Sequence, residues 1–155
     1  MELADILLKD CTIACAKVTS KRQLLQLLAQ KVSEAIDQDT QTVFETLMNR
    51  EKLGSTGLGN GIAIPHGKIA GLERVVAIFV RLETPIEFDA VDDQPVDLVM
   101  MLLAPEGAGA DHLKALARVA RLLRTETLVE QLRASRECSE LHELLSAPLE
   151  DSAAA

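Results

Sequence analysis

The spacing of apolar residues divides the chain into a helical N-terminal third, a central region rich in strands, and a helical C-terminal third. Apolar side chains recur at helical spacing from residue 24 to about residue 35, and again over 43–48, which predicts two consecutive helices. Ser20 and Gln23 have the spacing of a capping box for the first helix. Asp39 is placed to cap the second helix.

Strands are predicted where apolar residues alternate or run unbroken, over residues 12–16, 62–64, 75–80 and 96–104. The last two runs are apolar at nearly every position, which is typical of strands covered by helices on both faces. Pro65 and Pro105 close two of the runs, because proline has no N–H for a strand hydrogen bond. Residues 83–89 predict a turn followed by an edge strand.

The C-terminal third predicts three helices. The first is capped by Asp111 and ends at Leu123, the second opens at Thr125 or Thr127, and the third covers 138–146. Helices flank the strands on both sides in sequence, so we predict an α/β fold with a mixed parallel and antiparallel sheet of about five strands flanked by helices. We expect residues 1–148 to form a single domain and 149–155 to form a disordered tail.

Composition narrows the classes of function. The 155 residues are 48% hydrophobic and 26% charged, as expected of one globular domain. A net charge of −8 and the lack of Trp and Tyr argue against nucleic-acid binding, which needs a basic surface and usually stacking aromatics. Three cysteines without CxxC spacing indicate reduced thiols. With no apolar run of membrane-spanning length and no signal peptide, we expect a cytoplasmic protein.

One segment, residues 54–67, combines five glycines, two hydroxyl side chains, an amide and a Pro-His pair, and is called the glycine segment below. Because glycine loses more backbone entropy on folding than any other residue, this density indicates that the loop conformation matters. No Asp or Glu occurs over 52–72, although the chain contains 24 acidic residues. An even distribution would place roughly three there, so the gap favours a site that receives a negative group.

Two glycine-rich nucleotide motifs do not fit this segment. A Walker sequence ending at Gly67-Lys68 would need glycine at position 62 and Ser or Thr at position 69, and both positions are isoleucine. A dinucleotide fingerprint starting at Gly57 should follow a strand, whereas this one follows a predicted helix. The segment therefore predicts an anion site without a nucleotide motif.

Three side chains are candidates for chemistry, each with a simpler alternative. His66 can act as a neutral nucleophile near pH 7, or it can be a turn histidine that hydrogen-bonds its own loop. Arg50, in the last turn before the glycine segment, can hold two phosphate oxygens or merely complement the helix dipole. His112 lies near a helix N-terminus on the apolar face, as a site residue or as a satisfied histidine at the edge of the core.

The sequence Gly61-Ile-Ala-Ile-Pro-His-Gly67 resembles the active-site signature of the mannitol/fructose-type (type 2) enzyme IIA domains of the bacterial phosphoenolpyruvate phosphotransferase system. The preceding Gly-Leu-Gly-Asn-Gly form, and residues 88–99 and 103–116, resemble the nitrogen-regulatory branch of that family. The similarity extends from about residue 6 to residue 145. It implies the same mixed sheet with flanking helices.

The resemblance implies that His66 accepts a phosphoryl group, through Nε2, from the phosphohistidine of an HPr-like carrier charged by enzyme I from phosphoenolpyruvate. It places His112 beside His66 and Arg50 near the phosphate, with no metal or cofactor. The side chains and backbone amides of the glycine segment would then cradle the phosphoryl oxygens. These predicted phosphate-binding residues are Ser55, Thr56, Gly57, Gly59, Asn60 and Gly61.

The resemblance also bears on the output of the protein. Sugar-transport relatives often carry a glutamate where this chain has Asn60, which favours a regulator of nitrogen-related, potassium-related or other metabolic targets. The alternatives are a IIA component that passes the phosphoryl group to a IIB domain, and a partner-binding module without catalysis. A metal hydrolase using His66, His112 and Asp111 is a further alternative, but its ligand spacing matches no zinc pattern.

Overall fold

The computed structural model describes residues 2–8 and 11–147, so the predicted tail over 149–155 lies outside the described residues. In chain order the elements are α1 (Leu3–Ile6), β1 (Ile13–Ala16), α2 (Lys21–Ile36), α3 (Thr40–Lys52), β2 (Gly57–Gly59), β3 (Ile62–Ala63), β4 (His66–Ile69), β5 (Val76–Ile86), β6 (Val96–Pro105), α4 (Gly109–Leu122), α5 (Glu126–Ala134) and α6 (Cys138–Ser146). Within the described ranges, none of the helices has the length and apolar character needed to cross a membrane.

A mixed sheet of six strands forms the centre of the described part of the chain. Its order is β1-β5-β6-β3-β2, with β4 also paired to β6. β5 and β6 are antiparallel, as are β2 and β3, whereas β1 is parallel to β5, and β3 and β4 are parallel to β6. The predicted mixed α/β fold is therefore confirmed. Two short strands, β2 and β4, were not predicted, because glycine and polar residues fill most of their positions.

Helices cover both faces of this sheet. Val76, Ile78 and Val80 of β5 belong to a core with the apolar faces of α2 and α3. The alternate residues Ala77 and Phe79 belong to a second core with α1, α4, α5 and α6. Since successive strand residues point to opposite faces, burial on both sides explains the unbroken apolar runs in β5 and β6.

The separate edge strand predicted over 83–89 is wrong. β5 instead continues to Ile86, which pairs with Val96 of β6 beyond an irregularity in the register that follows Arg81. Such an irregularity relieves the local need for ladder hydrogen bonds, so Pro85 can be accommodated inside the strand. The turn residues of the sequence thus coincide with an irregularity within one long strand.

The predicted cap of α4 is also wrong. The N-cap is Ala108, without a side-chain hydrogen bond, and Asp111 lies within the first turn, where its charge complements the helix dipole. By contrast, Asp39 caps α3 as predicted, accepting a hydrogen bond from the Thr42 amide at 2.9 Å.

The capping box predicted for α2 is half formed. Ser20 Oγ accepts from the Gln23 amide at 3.2 Å, as expected. Gln23 Oε1, however, accepts from the amide of Thr19 at 2.8 Å, one residue earlier than the box requires. The N-terminus of α2 is nevertheless capped by the predicted residue.

Candidate active site

His66 is the first residue of β4, directly after a break in the sheet at Pro65. It lies opposite Leu102 of β6, on the same side of β6 as β3. β2 covers the outer edge of β3, with the Ile64 amide donating to the Thr56 carbonyl at 3.1 Å. Beyond that bond, no described strand pairs with the outer edge of β4. His66 is therefore half-buried at a free edge of the sheet.

Hydrogen bonds define the tautomer of His66. Its Nδ1 lies 2.9 Å from the Ile64 carbonyl oxygen, which can only accept, so Nδ1 carries the proton. On the other side of the ring, Arg50 Nε donates to Nε2 at 3.3 Å. Because a guanidinium can only donate, Nε2 is unprotonated and holds its lone pair. The nitrogen that the resemblance implies as the phosphoryl acceptor is thus the nucleophilic one.

Arg50 is held by the end of α3 and the start of the glycine segment. Its Nη1 donates to the Gly54 carbonyl at 2.9 Å, which leaves Nε directed at His66. α3 can approach β4 this closely because Gly67 has no side chain. A Cβ added there would lie 2.6 Å from Thr46 Cγ2 of α3, so Gly67 serves close helix–strand packing.

His112 approaches His66 from α4, on the other side of the sheet edge. The two ring centroids are 5.6 Å apart, with the rings at 70° in an edge-on arrangement. His112 is 6% exposed, and its buried Nε2 has no hydrogen-bond partner among the described residues. Since buried polar atoms in proteins are nearly always paired, the unpaired Nε2 next to His66 makes His112 a candidate for contact with a bound group.

Burial lowers the pKa of both histidines. For His66, desolvation is the largest cause and the charge of Arg50 adds to it, against the Ile64 carbonyl and the carboxylate of Glu51, which raise the pKa. For His112, desolvation again comes first, followed by repulsion from His66 and Lys68. With pKa values below the usual 6.5, both rings are neutral at pH 7 and His66 is ready to act as a nucleophile.

The near end of the β2–β3 hairpin uses its own polar groups within the fold. The Thr56 amide donates to Glu51 Oε1 at 3.1 Å, and its buried hydroxyl donates to Oε2. The Ser55 hydroxyl donates to the Phe88 carbonyl at 2.8 Å and accepts from the Gly57 amide at 3.1 Å. Ser55, Thr56 and Gly57 therefore offer few free donors to a phosphoryl group.

The far end of the same hairpin lies away from His66. The Asn60 amide donates to Asp92 at 2.9 Å, and the Gly61 carbonyl accepts from the Leu98 amide at 3.1 Å. Leu98 precedes the partner of His66 in β6 by four residues, a separation of about 13 Å along a strand. The structure thus brings Arg50, His66 and His112 together, but Gly59, Asn60 and Gly61 lie outside that cluster.

Two charged residues near His66 were missed by the sequence reasoning. Lys68 is two residues further along β4, so it projects from the same face as His66 toward His112. If strand β4 had been predicted, the position of Lys68 would have followed, because residues two apart in a strand lie on the same face. Glu51 has a buried carboxylate beside the site, and a glutamate next to an arginine at a helix end gives no sequence signal of burial.

The residues offered for the metal-hydrolase alternative do not assemble as a ligand set. Within residues 2–8 and 11–147, no three His, Cys, Asp or Glu side chains converge in a way that could hold a metal ion. Asp97, a further acid of this region, is instead paired with Arg133 at 3.0 Å.

The mixed sheet between helical layers is the fold of a known class of phosphotransferase-system domain. Residues 5–147 match the family described as phosphoenolpyruvate-dependent sugar phosphotransferase system, EIIA 2, and the chain belongs to this family. The family suggested by the sequence motif is therefore confirmed.

Within the family, the chain is similar to members named nitrogen regulatory protein. It is 51% identical over 148 residues to one from Bradyrhizobium diazoefficiens, covering 96% of this chain and 97% of the relative. The crystal structure of nitrogen regulatory protein IIA-Ntr from Neisseria meningitidis superposes with a TM-score of 0.87 at 36% identity, over 92% of this chain and 98% of the other. IIA mannitol from Escherichia coli shares the fold, with a TM-score of 0.73 at 21% identity over 88% and 96% of the two chains.

Proposed function

We propose that this chain is a phosphohistidine carrier in which His66 Nε2 accepts a phosphoryl group from the phosphohistidine of an HPr-like protein. The observation that carries the proposal is the pair of hydrogen bonds at His66, one from Arg50 to Nε2 at 3.3 Å and one from Nδ1 to Ile64 at 2.9 Å. Together they hold a neutral imidazole with its nucleophilic nitrogen next to a cation. This arrangement suits phosphoryl transfer, in which positioning and charge stabilisation provide most of the catalysis.

In the transfer, the Nε2 lone pair forms a bond to phosphorus while the bond from phosphorus to the donor imidazole breaks. The electron pair of the broken bond returns to the donor ring. The proton on Nδ1 of His66 stays in its hydrogen bond to Ile64, so the carbonyl oxygen stabilises the positive charge that develops on the ring. Arg50 moves its hydrogen bond from Nε2 to the phosphoryl oxygens.

His112 and Lys68 complete the phosphoryl site. The unpaired Nε2 of His112 gains a phosphoryl oxygen as its partner, and the ammonium of Lys68 lies on the same side of β4. These groups replace the glycine-segment amides of the sequence-based hypothesis, because the hydrogen bonds of Ser55, Thr56, Gly57 and Asn60 are engaged within the fold. No step of the transfer uses a metal or a cofactor.

We assign the carrier a regulatory output in the cytoplasm, on nitrogen-related, potassium-related or other metabolic targets. The similarity to relatives named nitrogen regulatory protein supports this assignment. Phosphorylation would add a charge of about −1.5 to −2 at a free sheet edge beside Arg50 and Lys68, which changes the partners that can dock there.

The test is a phosphorylation assay with phosphoenolpyruvate, enzyme I and the HPr-like carrier. The expected product carries one acid-labile phosphoryl group, and His66→Ala carries none. Uptake by His66→Ala, or no uptake by the wild type, would contradict the proposal. Adding a IIB domain to the phosphorylated protein distinguishes a regulator from a sugar-transport component. A sugar-transport IIA domain transfers its phosphoryl group to the IIB domain, whereas a regulator retains it over the same time.

A further inference from the structure

A buried carboxylate lies directly behind the phosphoryl site. Glu51 follows Arg50 in the last turn of α3, and only 2% of its side chain is exposed. Lys21 Nζ lies 2.9 Å from Oε1, and the amide and hydroxyl of Thr56 donate to the two carboxylate oxygens. A buried charge is costly unless it is paired and hydrogen-bonded, and these partners hold Glu51 in one position.

From this carboxylate, a first chain of hydrogen bonds leads to Nδ1 of His66. Glu51 fixes the backbone of Thr56, whose carbonyl accepts from the Ile64 amide at 3.1 Å. The Ile64 carbonyl in turn accepts the proton of His66 Nδ1 at 2.9 Å. The group that defines the tautomer of His66 is therefore two hydrogen bonds away from Glu51.

A second chain starts at the backbone carbonyl of Glu51 and leads to Nε2 of the same ring. The Gly54 amide donates to the backbone carbonyl of Glu51 at 3.1 Å, and the Gly54 carbonyl accepts from Arg50 Nη1 at 2.9 Å. Arg50 Nε then donates to His66 Nε2 at 3.3 Å. Because Gly54 and Thr56 are two residues apart in the segment that joins α3 to β2, the side chain that fixes Thr56 also limits the movement of Gly54 and hence of Arg50.

We propose that Glu51 is a positioning residue, whose buried carboxylate fixes residues 54–56 and thereby sets both the tautomer and the orientation of the His66 imidazole. Its effect on phosphoryl transfer rests on the proposed function, whereas its effect on the tautomer does not. If residues 54–56 shift, the Nδ1 hydrogen bond weakens and part of the population places the proton on Nε2. That fraction has no lone pair on the accepting nitrogen and does not react.

A purely structural anchor for β2 is the competing explanation, and a matched control separates the two. Asp97 is also paired with a cation of this region, Arg133, at 3.0 Å, but at the far end of the hairpin. Replacing either acid removes an ion pair that supports the hairpin. Only the replacement of Glu51 should change the tautomer and orientation of the His66 ring.

The experiment compares Glu51→Ala, Glu51→Gln and Asp97→Asn with the wild type by two readouts. Nitrogen-15 NMR of the imidazole gives the tautomer of His66, and the initial rate of phosphorylation by the HPr-like carrier gives the transfer. We expect Glu51→Ala to show a mixture of tautomers and a rate lower by about 10- to 100-fold, as is typical when supporting contacts of a reactive group are lost. Asp97→Asn should match the wild type in both readouts.

Glu51→Gln keeps an oxygen for the Thr56 amide but loses the ion pair with Lys21, so we expect it to lie between the wild type and Glu51→Ala. A folded Glu51→Ala protein with the wild-type tautomer and rate would overturn the inference. If Glu51→Ala does not fold, Glu51→Gln decides, and wild-type values in both of its readouts overturn it. A shifted tautomer together with a wild type that takes up no phosphoryl group would support the inference and reject the proposed function.

Discussion

Arg50 Nε lies 3.3 Å from His66 Nε2, so the guanidinium contacts the nitrogen that we propose as the nucleophile. This contact has two consequences for the same reaction. The positive charge lowers the pKa of His66 and keeps Nε2 unprotonated. In the proposed transfer, the same charge is in place to stabilise the phosphoryl oxygens once they arrive.

We expect Arg50→Lys to slow phosphorylation of His66 by about 100-fold, although the charge is kept, because an ammonium lacks the planar fork of a guanidinium. Arg50→Ala should be at least as slow, and it should raise the pKa of His66 by removing a nearby cation. Phosphorylation rates and an NMR pH titration of His66 measure these effects. Arg121→Lys, on the exposed side of α4, is the control and should have the wild-type rate. A wild-type rate for Arg50→Lys would show that charge alone is sufficient.

The lowered pKa values of His66 and His112 predict a loss of stability in mild acid. The unfolded chain binds protons on these rings near pH 6.5, whereas the folded protein binds them only at lower pH. The free energy of unfolding is therefore constant above about pH 7.5 with respect to these groups, and it decreases as the pH falls through 6.5 toward the folded pKa values. The Asp92 pKa is lowered by the amides of Asn60 and Gln94, but this carboxylate titrates well below that window.

Urea unfolding at a series of pH values between 8 and 5 measures this effect, with His66→Gln and His112→Gln as the comparison. Each substitution should reduce the dependence of unfolding free energy on pH, and the double variant should nearly remove it. An unchanged dependence in the double variant would assign it to other groups. Protonation of His66 should also slow phosphorylation of the wild type, at a pH below 6.5.

The structure brings Arg50, His66 and His112 together, as the resemblance implied, whereas the hydrogen bonds of the loop around them were not predicted. Arg50, His66 and His112 were identified by residue type, by position on a predicted helix or loop, and by the family resemblance. None of these criteria depends on details of packing that only the folded structure shows.

Phosphate binding by residues 55–61 stays a prediction. The Thr56 and Asn60 amides donate to Glu51 and Asp92, and the Ser55 hydroxyl donates to Phe88, and no sequence pattern indicated these bonds. Strand β4 was not predicted, because His66, Gly67 and Lys68 show no alternation of apolar and polar residues. For the same reason, the position of Lys68 beside His66 was not predicted.

His112 is expected to matter for transfer more than for folding. His112→Gln keeps a hydrogen-bonding group of similar reach, so it should retain part of the rate, whereas His112→Ala should lose about 10- to 100-fold. The pKa of His112 should rise when His66 is replaced by alanine, because repulsion from His66 is one cause of its lowered value. Rates and an NMR titration of both histidines test this. His142→Ala, on α6, is the control.

Gly67 is expected to tolerate no side chain as long as Thr46 is present. A Cβ at position 67 would lie 2.6 Å from Thr46 Cγ2, so Gly67→Ala should lower the free energy of unfolding by about 1–3 kcal/mol. The substitution should also slow phosphorylation, because the added side chain would displace α3, and with it Arg50, from β4. Thr46→Ser removes the clashing methyl group and should restore both properties in the double variant. Gly107→Ala, with no atom within 4 Å of the added Cβ, should leave stability nearly unchanged.

Gly61 provides the opposite case, a residue of the glycine segment whose loss should affect stability but not transfer. Its φ of 79° is one that side chains rarely adopt, and an added Cβ would lie 2.8 Å from Asp97 Oδ1 and collide with the Arg133 guanidinium. We therefore expect Gly61→Ala to cost about 1–3 kcal/mol of unfolding free energy. The rate of His66 phosphorylation, measured where the variant is folded, should equal that of the wild type. A folded Gly61→Ala protein with a rate lower by tenfold or more would show that this end of the hairpin reaches the phosphoryl group after all.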